Sequence, residues 1–582
     1  MRSTFAGLNT MVKGIQNNQL SLDTTGHNIT NASTPGYSRQ SVNSAATNYQ
    51  ERSSLYGDVL VGGGVDAMSL TRARNIYADK QFWSETSAQN FYKTNKTNYD
   101  KVETIFNDSK NTGILNAMKQ FYDAWVNLSN YASDAASRTA VLTKGNNLVD
   151  RLRTNANQLQ DQIASQYDEM RIQVQKVNSI TEQISRLNKN IMYAETNGAK
   201  ANDLRDQRDL LVDQLSEITN VNVYEEANGM YTVVSNGMTL VNRDSRLTLE
   251  MSEPMNNEEY GITDYTIRIK EAGGIGYVPQ SGVLKALQDT IVQDKGYIDN
   301  LADIAATLLT TFNDVHKQGA GIDADATTWL NFFGDNGNKS TATGGSYTGT
   351  HYTWHVDAAT GERWMEQTAA SVNKTVSGTT TTITMTDSVV ASDKKKLKSM
   401  QIINALKVAS ELTAPGGQNL VAARQIYDPT VDPLTSKPKG MVKPTISAGS
   451  STYTYDNSWI NGTGDGTMAV ELSKLFNTDQ GSSMNPAGTE RPVSTISINQ
   501  YYNGIMSKLG ANAETVDKKL KQQDDLITQI TQWRQSTAGV NWNEELTNML
   551  KFQTGYGACS RVLTSMDEML DKLINSTGTV GR

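Results

Sequence analysis

Metal or nucleophilic chemistry in this 582-residue chain would have to be built on four histidines (His27, His316, His351 and His355) and one cysteine, Cys559. His351 and His355 share a face if their segment is a strand, and Asp357 and Glu362 follow closely. Such a set could hold zinc, but it reads more simply as a pair of β-surface histidines. Asp323-Ala324-Asp325 and Asp335-Asn336-Gly337-Asn338 are like the opening of calcium loops and lack the bidentate glutamate that closes one. Neither a Gly-x-x-x-x-Gly-Lys-Ser/Thr loop nor His-Glu-x-x-His occurs. Gly62-Gly63-Gly64 lacks dinucleotide spacing and reads as a turn. Lys394-Lys395-Lys396-Leu397-Lys398 reads as a solvated helix face. Cys559 sits on an apolar stripe and reads as a packed core thiol, not a nucleophile. No catalytic, cofactor-binding or metal-ligating residue is therefore expected, and the chain reads as a scaffold rather than an enzyme.

The elements that would carry such a scaffold are plain in the hydrophobic periodicity. Near the N-terminus Phe5, Leu8, Val12, Ile15, Gln19, Leu22, Gly26 and Ile29 step by three and four in alternation. Near the C-terminus Met549, Phe552, Tyr556, Cys559, Leu563, Met566, Leu570 and Leu573 do the same. That alternation keeps one stripe on one side of a slightly underwound helix, the seam of a coiled coil, over about 37 Å. Between the ends, Ile76 to Phe106, the apolar face from Ile114 to Leu128, Ala135 to Ala194 and Ala201 to Ile218 predict long helices, with Asn197-Gly198 as a stop. Val221 to Tyr224, Met230 to Val234 and Met238 to Val241 predict short strands joined by Asn228-Gly229 and Asn236-Gly237, both suited to type I′ turns. Tyr265 to Ile269 adds a strand, and helix returns from Ser281 to His316. Residues 320–460 are rich in Thr, Ser and Gly, with β-like pieces such as Thr379 to Met385. Helix resumes at Ala469, and Ser494 to Trp533 predicts a second long rod helix. The fold class is mainly α with a β insertion: terminal coiled-coil helices, a long antiparallel helical rod, and outward-facing β-rich matter inserted in the middle.

Bulk properties narrow the partners. A net charge of −8 is small for this length, so nucleic acid and anionic membrane are not expected. One cysteine excludes a disulfide framework. No stretch approaches the ~20 apolar residues of a membrane span. Met1 to Asn9 lacks the apolar core of a cleaved signal peptide.

The first stripe ends in Asn28-Ile29-Thr30-Asn31-Ala32-Ser33-Thr34-Pro35-Gly36-Tyr37-Ser38-Arg39-Gln40, where Pro35 forbids helix and Gly36 permits a turn. This string resembles the N-terminal signature of the bacterial flagellar axial proteins, the rod, hook and hook-associated proteins. Its Tyr37-Ser38-Arg39-Gln40 continuation is most similar to the hook-associated branch. Gly26-His27 and Thr30 depart from the pattern, on an edge expected to be exposed. The resemblance extends to Gly63-Gly64-Val65 with Leu70-Thr71-Arg72 and to Asp134-Ala135-Ala136-Ser137-Arg138, which lacks the usual preceding proline. It continues through Asn313, His316 and Gly319, then Gly464-Asp465-Gly466. It closes on Gly539 to Glu545 with Leu550-Lys551-Phe552-Gln553, Ser560-Arg561-Val562 and Met566-Asp567-Glu568-Met569, with Trp542 for a usual Leu. Residues of about 340–460 match nothing.

The resemblance implies a structural protein at the junction of hook and filament, extracellular on the flagellum and exported without a cleaved signal peptide through the flagellar type III export apparatus. It implies a homo-oligomeric ring, with hook protein, hook-associated protein 3 and an export chaperone at the C-terminal helix as partners. Its assembly interface would be Phe5, Leu8, Val12, Ile15, Leu22, Ile29, Met549, Phe552, Tyr556, Leu563, Met566, Leu570 and Leu573. The signature turn would be Asn28, Asn31, Pro35, Gly36, Tyr37 and Arg39. The domain division expected is 1–40 and 541–582 as coiled-coil segments of the axial core, 41–220 and 461–540 as the two halves of the helical rod, 221–320 as a β-rich segment with a returning helix, and 321–460 as a variable outer domain. Alone, the terminal helices are expected to be poorly ordered, because each chain supplies only a two-stranded coil. A hook or distal rod component, or an enzyme carried in 321–460, are the alternatives.

Overall fold

The computed structural model of the chain describes residues 6–54, 57–106, 113–336, 345–357, 359–432, 435–447, 449–477, 493 and 496–576. Phe5, Gly337, Asn338 and Ser494 lie outside the described residues, as does the side chain of Leu573.

Helix α1 (Ala6–Asn31) runs uninterrupted because its 26 residues hold no proline, and it stops where Pro35 removes a donor and Gly36 turns at φ +79°. Residues 40–72, which the sequence placed in the helical half, instead form two antiparallel ribbons. Strands β1 (Gln40–Ala46) and β4 (Val65–Arg72) pair along α1, and β2 (Gln50–Ser54) pairs with β3 (Gly57–Val61) beyond them.

The rod follows. Helices α2 (Ile76–Phe106), α3 (Ile114–Asn130), α4 (Ala135–Ala194) and α5 (Asn202–Ile218) begin and end close to where periodicity put them. The 60 residues of α4 span about 90 Å. Its N-terminus is capped by Asp134, which accepts from the Ser137 amide, and its stripe from Leu152 to Ile191 is almost wholly buried. Strands β5 (Asn222–Glu225), β6 (Tyr231–Ser235), β7 (Met238–Asn242) and β8 (Ser245–Arg246) form one sheet in sequence order. Asn236 and Gly237 both take positive φ, as a type I′ turn requires, whereas at Asn228-Gly229 only the glycine does, so that turn is a longer loop. Strands β9 (Leu249–Met251), β10 (Met255–Asn257), β11 (Ile262–Asp264), β12 (Ile267–Ile269) and β13 (Ile275–Gly276) make two smaller sheets against α4.

Helix α6 (Gly282–Thr307) returns along the rod and passes through a π-turn at Leu308–Phe312 into α7 (Asn313–His316). Phe312 meets Phe121, Trp125, Phe332, Phe333 and Phe476 in one aromatic cluster where rod and outer domain join. Mid-rod, Asn98 and Gln166 both donate to the fully buried carboxylate of Asp294, at 3.0 and 2.8 Å, tying α2, α4 and α6 together.

In the outer domain β14 (Gly345–Val356), β15 (Arg363–Ser377), β16 (Thr380–Asp387), β17 (Lys394–Leu397), β20 (Thr445–Ser447) and β21 (Ser450–Asp456) form an antiparallel sheet, with β18 (Tyr427–Val431) and β19 (Pro438–Met441) as a separate ribbon. The sheet closes over Trp329, Val372, Ile383, Met385, Tyr453 and Tyr455. Short helices α8 (Ser399–Ala405) and α9 (Ser410–Thr413) dock back onto the rod core. Helix α10 (Thr467–Asn477) then leads to α11 (Ile498–Ala538), antiparallel to α2, with Asp79 on Arg534 and Gln89 on Asp524. Helix α12 (Trp542–Ser576) closes the chain against α1.

Candidate functional site

The groups that sequence chemistry singled out are tied into the fold. His351 and His355 do share a face of β14, but they take different neighbours: His351 Nδ1 lies 3.0 Å from Asp387, and the His355 ring stacks on Trp364. Asp357 caps the turn at Ala359 and Thr360, and Glu362 pairs with Lys396 and Lys398. The lysine run is strand β17 and the residue after it, not a helix face; Lys394 and Lys396 reach across to glutamates of β15 and its preceding turn, and Lys396 lies over Trp364. Asp323 accepts from the Thr327 amide and hydroxyl, and Asn336 bonds within its own loop to Asn331. His316 is buried, donates from Nδ1 to Leu330 O and accepts the Ala422 amide at Nε2. Burial holds it neutral, its pKa pushed down to about 4.

The terminal pair is the remaining candidate. A methyl built on Gly7 would meet Met566, one on Gly14 would fall 2.9 Å from Cys559 Sγ, and one on Gly555 2.8 Å from Asn18 Oδ1. Further along, Asn28 donates to Glu545 at 3.1 Å. These contacts fix one antiparallel register, in which each step up α1 is a step down α12. The seam of α1 is therefore Gly7, Gly14, Asn18, Ser21, Thr25 and Asn28, small or polar residues that let the larger residues of α12 approach. Cys559 thus faces a glycine on a half-exposed seam rather than a core. The predicted stripe of Leu8, Ile15, Leu22 and Ile29 sits one residue further round, half-buried, with Val12 exposed. On α12, Met566 faces α1, Met549, Phe552, Leu563 and Leu570 are half-buried, and Tyr556 is exposed. Leu550, Val562, Met569 and Ile574, at 64%, 45%, 56% and 68% exposure, have no cover. Among the described residues, no apolar side chain of either helix is fully buried.

The signature string folds into a latch. Asn28 is buried and accepts at Oδ1 from the Tyr37 hydroxyl (2.7 Å) and the Gln40 amide (2.9 Å), while its Nδ2 donates to Gln40 O and Glu545. Asn31 accepts from Thr34, Gly36 makes the turn over Leu210, and Arg39 pairs with Glu544 and donates its amide to Ala538 O. Burial, then the neighbouring carboxylates of Asp203, Asp206 and Glu545, pushes the Tyr37 hydroxyl well above its ordinary pKa, so it stays a donor. His27, a departure from the pattern, lies edge-on to Tyr37 near Asp203.

The partner of this latch was not foreseen. Asp203, Asp206, Asp209 and Asp213 line one face of α5. Gln40 donates to Asp203, and the Ser38 amide donates to Asp206. Arg72 bridges Asp206 and Asp209 at 2.6 and 2.9 Å, and Arg74 joins Asp209 to Asp79. Arg534 joins Asp79 to Asp213, each at 2.9 Å. Burial raises the carboxyls of Asp206 and Asp213; at Asp209 burial pushes the same way, but Arg74 and Arg72 overrule it and leave the group lowered. The three-three-four spacing of aspartates was the available signal, and it resembles any solvated helix face until its cations are located.

Comparison with known proteins agrees with this architecture. Residues 99–333 match the family model described as the flagellar hook-associated protein FlgK helical domain, and residues 532–576 match that of the flagellar basal body rod FlgEFG protein C-terminal region. Flagellar hook-associated protein 1 of Bacillus subtilis is 24% identical, with all of both chains aligned. The proteins of that name from Salmonella typhimurium and Escherichia coli are also 24% identical, over 98% of this chain and 99% of theirs. The flagellar hook junction protein FlgK from Burkholderia pseudomallei shares the fold, with a TM-score of 0.52 and 18% identity over 79% of this chain and all of that one. A rod matched by one family model, a C-terminal helix matched by another and end-to-end alignment with relatives from several bacteria together make the chain similar over its whole length to flagellar hook-associated protein 1.

Proposed function

We infer that this chain is a structural, non-enzymatic component of the bacterial flagellum that joins hook to filament through its terminal helices. One observation carries the reading: α1 and α12 pair through a small, polar seam and leave their apolar flanks half covered or bare. Those flanks lie on different helices and differ in composition, which suits subunits meeting unlike face to unlike face, as a ring requires. At ~1.5–3 kcal/mol for each large side chain fully covered, neighbours complete a coil that one chain leaves half made. Leu8, Val12, Ile15, Leu22 and Ile29 on α1, and Met549, Phe552, Tyr556, Leu563 and Leu570 on α12, then form the assembly interface, while Met566 packs on Gly7 of its own chain. Copies of this chain, hook protein, hook-associated protein 3 and an export chaperone on α12 are the partners. The protein leaves the cell unprocessed through the flagellar export apparatus. The rod sets spacing, and the outer domain of residues 321–460 faces solvent.

Complementation tests this. Leu563→Asp, in a strain lacking the wild-type protein, is expected to be secreted with its rod folded and to be absent from the hook tip in electron micrographs. Normal junctions built by that variant would refute the reading.

A further inference from the structure

We propose that the acidic row of α5 is the positioning element that fixes the angle between terminal coil and rod, with Arg534 as its decisive counter-ion. Two chain segments cross between coil and rod, residues 72–75 between β4 and α2 and 538–542 between α11 and α12, and a third, 32–39, touches the rod as it loops from α1 to β1. None of them contains a buried apolar side chain, so no hydrophobic core holds the crossing. Instead two of these segments end on α5, with Ser38 on Asp206, Arg72 on Asp206 and Asp209, and Arg74 on Asp209, while Arg534 in the last turns of α11 holds Asp213 just before the third. The segments are also tied to one another, through Arg39 N to Ala538 O and Ala73 N to Arg39 O. Helix α5 is itself immobilised from behind, because the wholly buried guanidinium of Arg208 donates to Asn188 of α4 and to Gly229 O and lies 3.3 Å above the Tyr231 ring.

Packing does not back up these charges. A cavity of about 260 Å³ lies beside them, lined by Gly36, Tyr37, Phe82, Leu210, Arg534 and Ala538 among others. Arg534 stands one turn before the C-terminal crossing and anchors the end of α11 from which α12 departs: it grips Asp79 of α2 and Asp213 of α5 and covers Phe82 at 4.1 Å. A cation held between carboxylates on two different helices fixes direction as well as distance. The proposal concerns the free chain and stands whether or not that chain occupies a junction.

Spin labels at the exposed Gln553 of α12 and Gln522 of α11, in a Cys559→Ala background, read the angle as a distance distribution in the purified full chain. A single narrow distribution is expected, at least doubling in width in Arg534→Met and staying narrow in Arg534→Lys, with the melting midpoint of the rod unchanged in both. Leu210→Phe, which fills the cavity, is expected to sharpen the Arg534→Met distribution. Equal widths in wild type and Arg534→Met would overturn the proposal. So would equal broadening by Met and Lys, or a rod that no longer folds in Arg534→Met, since Arg534 would then act other than by charge-set orientation.

Discussion

Glycine, asparagine and aspartate do more at single positions than any large residue of the terminal coil. A Cβ on Gly14 would stand 3.9 Å from that of Cys559, within the ~3.5–4.5 Å spanned by a disulfide. Gly14→Cys is therefore expected to cross-link to Cys559 under mild oxidation, seen as a two-dalton mass loss and faster migration on a non-reducing gel; an uncross-linked chain would contradict the register. In the rod, burial raises Asp294 to about 7. An unfolded aspartate ionises near 4, so between there and about 7 the folded chain keeps a proton that the unfolded chain has lost. Its stabilising effect is complete below about pH 4 and lost as pH rises through 7. Asp294→Asn should therefore gain on wild type by ~2–4 kcal/mol between pH 4 and 8, measured by urea unfolding. A difference independent of pH would sink that account. Neither residue was legible in advance: Gly14 lies beside the apolar stripe and carries no hydrophobic signal, and a buried aspartate looks like any other until its neighbours are placed.

Among the elements, those governed by local periodicity were readable and those governed by distant partners were not. Helix α4 was found end to end because its stripe repeats from Leu152 to Ile191 and Asp134 and Asn197-Gly198 punctuate it. The ribbon of β1 and β4 was missed because its strands show almost no alternation of burial; β1 has one buried residue, Gln40. The outer sheet was legible only as β-prone, since β16 pairs with β21 across a long insertion and Thr382 finds Thr454 only in three dimensions. The apolar stripes were correctly located, but which face meets the partner helix was not, because the small residues of the seam carry no hydrophobic signal. The signature turn belongs to this scale, for it joins three elements. Asn28→Ala removes the partners of the Gln40 amide and the Tyr37 hydroxyl. At ~1–3 kcal/mol per stranded group, hydrogen exchange over residues 26–40 and 538–548 should rise about tenfold to hundredfold while α4 is unchanged. Unchanged exchange around the turn would mean that the latch does not hold the coil.

At the scale of the whole molecule, the chain is a finished rod and outer domain carrying an unfinished coil. The outer domain is anchored by buried polar residues: Asn313, which accepts the amides of Phe332 and Phe333, neutral His316, and Arg138, which donates to Ala132 O and Val421 O. The resemblance to axial proteins included all three, and the structure gives each a physical task that the string alone did not reveal. The coil has no such closure, and on the proposed function its missing half is what a neighbouring subunit would supply. Hydrogen exchange measured on residues 6–31 and 542–576, in the free chain and in isolated hook–filament junctions, tests this most directly. The account predicts that both helices, paired but only half covered in the free chain, exchange faster there than on assembly, against a rod unchanged in α4 and α6. Strong and equal protection of the two helices in both states would contradict it.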